Sequence, residues 1–304
     1  MNSTSDEAVT MAGAARRGWV ALLVKQLRIY QWAKNALLFI PLLGAHQLAD
    51  RNLWVRNILA FVSFGLVASS VYVLNDLRDL EADRRHPRKR FRPLASGALP
   101  LAAGRALVPA LLVAGAILAL RLPREFGFLL AGYWVATLGY SLGLKKRPIV
   151  DVAILAGFYT VRIYAGSAAT DVPVSEWLAS FAMFLFLSLA FAKRAAELVA
   201  AEKALPGRGY RPDDTGPVFT MGIASGYLAV LVLALYISSQ DVRRLYAHPG
   251  WLWLLCPLVL YWVSDLWLHA HRNEVDDDPL IFALRNRSSW IVLALAIVTV
   301  WMGI

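Results

Sequence analysis

The residues best placed to do chemistry stand between an apolar run and a basic one. Val71-Tyr72-Val73-Leu74 leads into Asn75-Asp76-Leu77-Arg78-Asp79-Leu80-Glu81-Ala82-Asp83, the pattern NDxxDxxxD. On a continuous helix Asp76, Asp79 and Asp83 fall at i, i+3 and i+7 and project from one face, with Asn75 at its edge. Three carboxylates so close repel one another unless a cation or several bases neutralise them. Hard oxygen donors on one helix suit magnesium, which keeps some waters and completes its shell with substrate phosphates. The plainer alternative is a solvated helix end laced to the arginines that follow. Charge at the end of a membrane helix is costly and usually kept for a purpose, which favours a magnesium and diphosphate site on Asn75, Asp76, Asp79 and Asp83.

The loop that follows, Arg84-Arg85-His86-Pro87-Arg88-Lys89-Arg90-Phe91-Arg92, is dense in base. Guanidinium forks match phosphate oxygens bidentately, so acids holding a metal beside such a loop clamp a diphosphate from both sides. Topogenic or lipid-headgroup-binding charge is the alternative for most of these residues. Arg90 and Arg92, which flank Phe91 before the Pro93-Leu94-Ala95-Ser96-Gly97 turn, are the expected phosphate ligands.

Such residues need a scaffold, and composition names its kind. Of 304 residues, 58% are hydrophobic and only 17% charged, more apolar surface than a soluble core consumes. The surplus must face lipid. Apolar stretches at about 20–46, 53–75, 102–121, 126–143, 149–169, 177–199, 216–239, 250–270 and 288–303 predict an all-α polytopic bundle of about nine membrane helices. Residues 20–304 are expected to form a single transmembrane catalytic domain behind an N-terminal tail, residues 1–19. Most of the 31 Lys and Arg fall in the tail and in every second connection, so these are expected in the bacterial cytoplasm with the C-terminus outside. Topology then accounts for the net charge of +10, and nucleic acid is not an expected partner. Cys256 is alone and makes no intrachain disulfide, and the first 15 residues lack the pattern of a removable signal peptide.

Further polar residues lie at or within the spans. Lys145, Lys146 and Arg147 end the fourth, where topogenic charge and phosphate binding compete, and Asp151 follows one turn into the fifth, placed to orient a lysine or a ribose hydroxyl. Arg162 falls near mid-span in Tyr159-Thr160-Val161-Arg162-Ile163-Tyr164, so it is expected to face a cavity or to enter an ion pair within the bundle. Gln31, Lys34 and Asn35 can point towards one pocket, while Arg28 is equally an interfacial anchor. His269 and His271 splay at i, i+2 without an obvious third ligand and are expected at the interface. Asp213-Asp214 and Asp276-Asp277-Asp278 are read as solvated acids that cap the following helices. The 11 tryptophans suit aromatic belts and lipid-facing packing.

The run from Asn75 to Gly97 resembles the first signature of the UbiA-type intramembrane prenyltransferase superfamily. Four further motifs are similar to its branch that acts on decaprenyl phosphate with phosphoribosyl diphosphate: Arg28-Ile29-Tyr30-Gln31-Trp32-Ala33-Lys34-Asn35; Leu38-Phe39-Ile40-Pro41-Leu42; Tyr140-Ser141-Leu142-Gly143-Leu144-Lys145 with Asp151 beyond; and Ala192-Lys193-Arg194-Ala195-Ala196-Glu197. Asp276 to Arg285 extends the likeness more weakly. The resemblance implies helices around a central cavity open to lipid, and magnesium-dependent transfer of 5-phosphoribosyl to a polyprenyl phosphate with release of diphosphate. It further implies Asp76, Asp79, Asp83 and Asn75 as the metal and catalytic set. Lys34, Arg90, Arg92, Lys145, Lys193, Arg194, Arg162, Gln31, Asp151 and Tyr140 would bind the phosphates and their surroundings. A ribosyl or arabinosyl lipid for envelope polysaccharide is the product class the family suggests.

Two rivals stand beside this reading. Aromatic prenyltransferases bring a second aspartate-rich motif after the sixth helix, where this chain has Lys193 and Arg194; bases there suit an anionic acceptor or a sugar phosphate. A lipid-phosphate transporter without chemistry would be expected to show inverted repeats or paired broken helices, and the sequence shows neither.

Overall fold

A computed structural model describes residues 18–45, 49–200, 208–275 and 279–304. Asp276, Asp277 and Asp278 and nearly all of the N-terminal tail lie outside the described residues. Among the described residues every regular element is helical. Among the described residues six helices are long and apolar enough to cross a bilayer, where about nine were expected along the chain, and two more, Gly18–Leu27 and Arg287–Gly303, are apolar but shorter. The chain is thus a multi-pass membrane protein. It divides into two compact units, Met1–Leu138 with Arg162–Val172, and Gly139–Val161 with Pro173–Ile304.

The first unit opens with α1 (Gly18–Leu27). Arg28 then takes a left-handed conformation, φ 52° and ψ 48°, and ends it. The chain continues as a 3-10 helix, Ile29–Phe39, and a short α2, Ile40–Gly44. The first apolar stretch is therefore broken, where a continuous span was expected. Tertiary contacts explain the break, since no Gly or Pro stands between Val20 and Ile40. Trp32 donates its indole N–H to Ser69 Oγ at 3.0 Å and lies over Gly65, where a β-carbon would come within 2.6 Å of the ring. Gly166 approaches the Leu38 carbonyl so closely that a β-carbon would sit 1.9 Å from its oxygen.

Helix α3 (Arg51–Arg78) is capped by Asp50, whose Oδ1 accepts the Asn52 N–H at 2.8 Å. It packs on α5 (Leu101–Ala119), with Ser63 Oγ donating to the Gly115 carbonyl at 2.8 Å. Val73, Leu94, Leu99 and Leu111 form a buried cluster that pins the loop after α4 (Leu80–Arg85) to these helices. The unit is completed by most of α6 (Arg124–Leu142) and the later part of α7 (Val150–Thr170).

The second unit begins with the end of α6 and the start of α7. It continues with α8 (Glu176–Ala200), α9 (Thr215–Ser238), α10 (Gln240–Leu245), α11 (Leu255–His271), α12 (Pro279–Arg285) and α13 (Arg287–Gly303). Small residues let α8, α9 and α11 close on one another. Ser188 Oγ donates to the Gly222 carbonyl at 2.7 Å and accepts the Trp267 indole N–H at 3.0 Å. A β-carbon on Gly222 would lie 2.2 Å from the Trp267 ring. Leu231, Ile297 and Trp301 are among many large apolar side chains left exposed, the outward dress of a lipid-facing bundle.

Candidate active site

The acidic motif does not run on as one helix. Helix α3 ends at Arg78, Asp79 adopts φ −93° and ψ 13°, and α4 restarts at Leu80. Asp76 and Asp83 become buried, each about 3% exposed, while Asp79 is exposed. The three carboxylates therefore do not share a face as the uninterrupted spacing predicted. Asn75 stays half-buried, and its carbonyl accepts the Asp79 N–H at 2.9 Å, the closing bond of α3.

The buried pair is joined through the basic loop. Arg92 Nη1 donates to Asp76 Oδ1 at 3.0 Å and to Asp83 Oδ2 at 2.6 Å. Arg28 Nη2 donates to the same Asp76 oxygen at 2.5 Å, and Gln26 Nε2 to the other at 3.0 Å. The left-handed turn at Arg28 places that side chain across Asp76 and over the Tyr72 ring, 5.1 Å from its centroid. Lys25 Nζ holds the Phe91 carbonyl at 3.1 Å, tying α1 to the loop. Arg90 is exposed and stacks on Phe91 at 4.8 Å. Arg28 and Gln26 were not among the expected site residues. Arg28 stood in a family-like motif and was weighed as an interfacial anchor, while Gln26, a lone amide in an apolar stretch, carried no spacing signal.

Asp76 and Asp83 face one shared position, which Arg92 Nη1 fills. A single nitrogen already sits within hydrogen-bond reach of both buried carboxylates, so one positive centre between Asp76 and Asp83 finds hard oxygen on two sides. Among the described residues no group of three or more His, Cys, Asp and Glu side chains is gathered as a metal cluster. Arginine supplies the balancing charge instead.

Deeper in the same unit, Arg162, expected to face a cavity or to enter an ion pair, is 3% exposed. Its Nε donates to Asn35 Oδ1 at 2.9 Å and its Nη2 to Tyr133 OH at 3.3 Å. The guanidinium lies 4.9 Å from the Phe64 ring centroid and 5.1 Å from that of Tyr133. Asn35 is buried, whereas Gln31 and Lys34 on the 3-10 helix are half-buried.

The second unit has a cluster of its own. Asp151, fully buried in the first turn of α7, accepts from Arg194 through Nε and Nη2, from Arg208 Nη1 at 3.1 Å and from Tyr140 OH at 2.7 Å. Arg194, also fully buried, further donates to Glu197. A charge-neutral group of two guanidinium ions and two carboxylates results, locked by hydrogen bonds on all sides. The guanidinium of Arg194, expected to bind phosphate, is spent on the protein. Arg208 was not foreseen, because the loop that returns it to Asp151 carries no periodic signal. Next to it, Tyr210 OH accepts the Ile149 N–H at 3.0 Å, and burial pushes the Tyr210 phenol above its ordinary range. Ile149 itself has φ 66°, a strained value for a β-branched residue. Lys145 and Lys193 border this cluster in sequence and are half-buried. Asp214 accepts the Arg211 N–H at 2.7 Å in the turn ahead of α9, its side chain makes no cap bond to α9 itself, and Asp213 is exposed.

Residues 37–290 match the UbiA prenyltransferase family, and the chain belongs to that family. Among curated relatives, it is 35% identical to nodulation protein NoeC of Azorhizobium caulinodans over 90% of this chain and 91% of that one. It is 36% identical to the uncharacterized protein y4nM of Sinorhizobium fredii over 90% of this chain, but spans only 54% of that protein's length. It is 38% identical to decaprenyl-phosphate phosphoribosyltransferase of Mycolicibacterium smegmatis over 66% of this chain and 64% of the enzyme. The same fold occurs in a UbiA homolog from Archaeoglobus fulgidus bound to DMAPP and Mg2+, at 17% identity, with TM-score 0.66 over 91% of this chain and 98% of that one.

Proposed function

We propose that the protein transfers 5-phosphoribosyl from phosphoribosyl diphosphate to a polyprenyl phosphate such as decaprenyl phosphate, at the cytoplasmic face of a bacterial membrane. The observation that carries this reading is the Arg92 bridge between Asp76 and Asp83, an acid and base cluster with Arg28 as a second arm. The 38% identity to the M. smegmatis phosphoribosyltransferase supports the choice of donor.

Asp76 and Asp83 would hold Mg2+, with Asn75 beside them and Asp79 at the exposed joint, and the metal would neutralise charge on the departing diphosphate. Arg28 and Arg92, beside the same carboxylates, would supply guanidinium forks to phosphate oxygens. No nucleophile from the protein is required. An oxygen of the lipid phosphate forms the bond to the anomeric carbon as the bond from that carbon to the diphosphate oxygen breaks, and the electron pair leaves with the diphosphate. The protein's part is positioning and charge. The neutral Asp151 group holds Tyr140 and the head of α7 in place, with Lys145 and Lys193 contributing positive charge nearby in the chain.

The family itself favours a second reading, transfer of an isoprenyl chain from its diphosphate to a small acceptor. One assay separates the two. Purified protein is given magnesium with labelled phosphoribosyl diphosphate and decaprenyl phosphate, beside Asp76→Asn and an EDTA control. Labelled lipid that vanishes in both controls supports phosphoribosyl transfer. Turnover of a polyprenyl diphosphate instead supports prenyl transfer, and no product from either donor in folded protein leaves the function open, a non-catalytic lipid-phosphate transporter included.

A further inference from the structure

Beyond the end of α11 a cavity of about 420 Å³ is lined by His269, Glu274, Phe282, Arg285, Asn286 and Arg287. None of these belongs to either cluster above. Two guanidinium groups come from the junction of α12 and α13, and one carboxylate from the segment after α11. The polar wall is ordered from behind. His269 Nδ1 lies 2.8 Å from the Asp265 carbonyl oxygen, and a carbonyl only accepts, so Nδ1 carries the proton. Nε2 is thereby turned towards Glu274, 3.7 Å from its Oε2. Asn286 accepts the Ser288 N–H at 3.1 Å and donates to Asp265 Oδ2 at 3.4 Å. Phe282 sets its ring 5.4 Å from that of His269 and gives the cavity an apolar side.

Its place in the fold is the end of one apolar helix and the start of the next, Pro249–His271 and Arg287–Gly303. Leu284 and Trp290 stand exposed beside it, and the Trp290 indole N–H donates to the Leu284 carbonyl at 2.8 Å. An exposed tryptophan tied by its polar edge at a helix start is the mark of a membrane interface. The cavity therefore opens where phospholipid headgroups lie. Arginine pairs match phosphate oxygens, and a carboxylate beside an aromatic ring matches a cation tethered to that phosphate.

We propose that this cavity binds the headgroup of a zwitterionic phospholipid bearing a primary ammonium, with the phosphate on Arg285 and Arg287 and the ammonium on Glu274. A primary ammonium presents three N–H donors to Glu274, whereas a trimethylammonium presents none, so ethanolamine lipids are preferred over choline lipids. This inference does not depend on the phosphoribosyl reading.

The test is native mass spectrometry on the delipidated full-length protein, titrated separately with phosphatidylethanolamine, phosphatidylcholine, phosphatidylglycerol and inorganic phosphate. The expected result is one tight site with an ethanolamine preference over choline of about tenfold, the worth of one or two charge-assisted hydrogen bonds. Glu274→Gln removes that preference and leaves phosphatidylglycerol binding unchanged, whereas Arg285→Ala with Arg287→Ala weakens all three lipids. Unfolding temperatures measured alongside establish that both variants are folded, and the mild Glu274→Gln change gives a readout even where the double variant fails. Equal binding of ethanolamine and choline lipids, indifference to Glu274→Gln, or inorganic phosphate binding as tightly as lipid would each overturn the proposal.

Discussion

Replacing Arg92 with methionine keeps an unbranched apolar stem and removes the guanidinium that joins two buried carboxylates. The loss is two charge-assisted hydrogen bonds, at 3.0 Å to Asp76 and 2.6 Å to Asp83. Such bonds contribute about 1.5–3 kcal/mol each when shielded from water. The Arg92 side chain is 29% exposed and Asp76 keeps Arg28 and Gln26, so the net cost is about 2 kcal/mol, falling mainly on Asp83. If magnesium takes the position between the same two carboxylates, it should restore that stability. The assay is thermal unfolding of purified wild type and Arg92→Met in nanodiscs, each in EDTA and in millimolar Mg2+. Wild type should gain little from the metal, whereas the variant should unfold at a lower temperature in EDTA and recover most of the difference in Mg2+. Turnover should still fall about a hundredfold, because the metal does not replace the lost phosphate contact. A variant that unfolds with the wild type under both conditions, or one that the metal fails to rescue, refutes the idea that cation and guanidinium share one place.

Asp76→Asn should lower turnover by at least about a hundredfold with substrate binding less affected, read as kcat against KM in the phosphoribosyl assay. Arg194→Met should be severely destabilising, by about 3–5 kcal/mol, because it takes its two hydrogen bonds from fully buried Asp151 and leaves that carboxylate Arg208 and Tyr140; adding Asp151→Leu, which leaves Arg208 paired with Glu197, should return part of that loss in a denaturation series. Gly166→Ala should reduce the yield of folded protein, since its methyl group would meet the Leu38 carbonyl at 1.9 Å, whereas Gly157→Ala, with open space around it, should behave as wild type in size-exclusion chromatography.

The sequence made the fold class, the acidic motif and the basic loop readable for plain reasons. Apolar runs of bilayer length have few other uses, and carboxylates at a membrane helix end need cations, which Arg92 supplies. Arg162 was legible for the same reason: a mid-span cation must be solvated by the protein, here through Asn35, Tyr133 and two rings. What stayed hidden depended on long-range geometry. The helix joint at Asp79, which buries Asp76 and Asp83 and exposes Asp79, follows from the loop folding back on α3, and no local breaker announces it. The break at Arg28 is imposed by Trp32, Ser69, Gly65 and Gly166, distant in sequence. Arg194 looked like a phosphate ligand because its type suits one; only the return of Arg208 and Asp151 to its side reveals a self-contained charge group.

The 3-10 helix from Ile29 to Phe39 also sets how much chain the first crossing consumes. At about 2.0 Å per residue instead of 1.5 Å, its 11 residues cover about 22 Å where an α-helix would cover about 16 Å. Residues three apart lie directly in line, so Gln31 and Lys34 fall on one straight edge. A stretch wound this tightly carries no slack. One residue inserted ahead of Asn35 would swing it a third of a turn off Arg162, while the same insertion in an exposed connection would be absorbed, so this short segment meters the register between the mouth of the site and its floor.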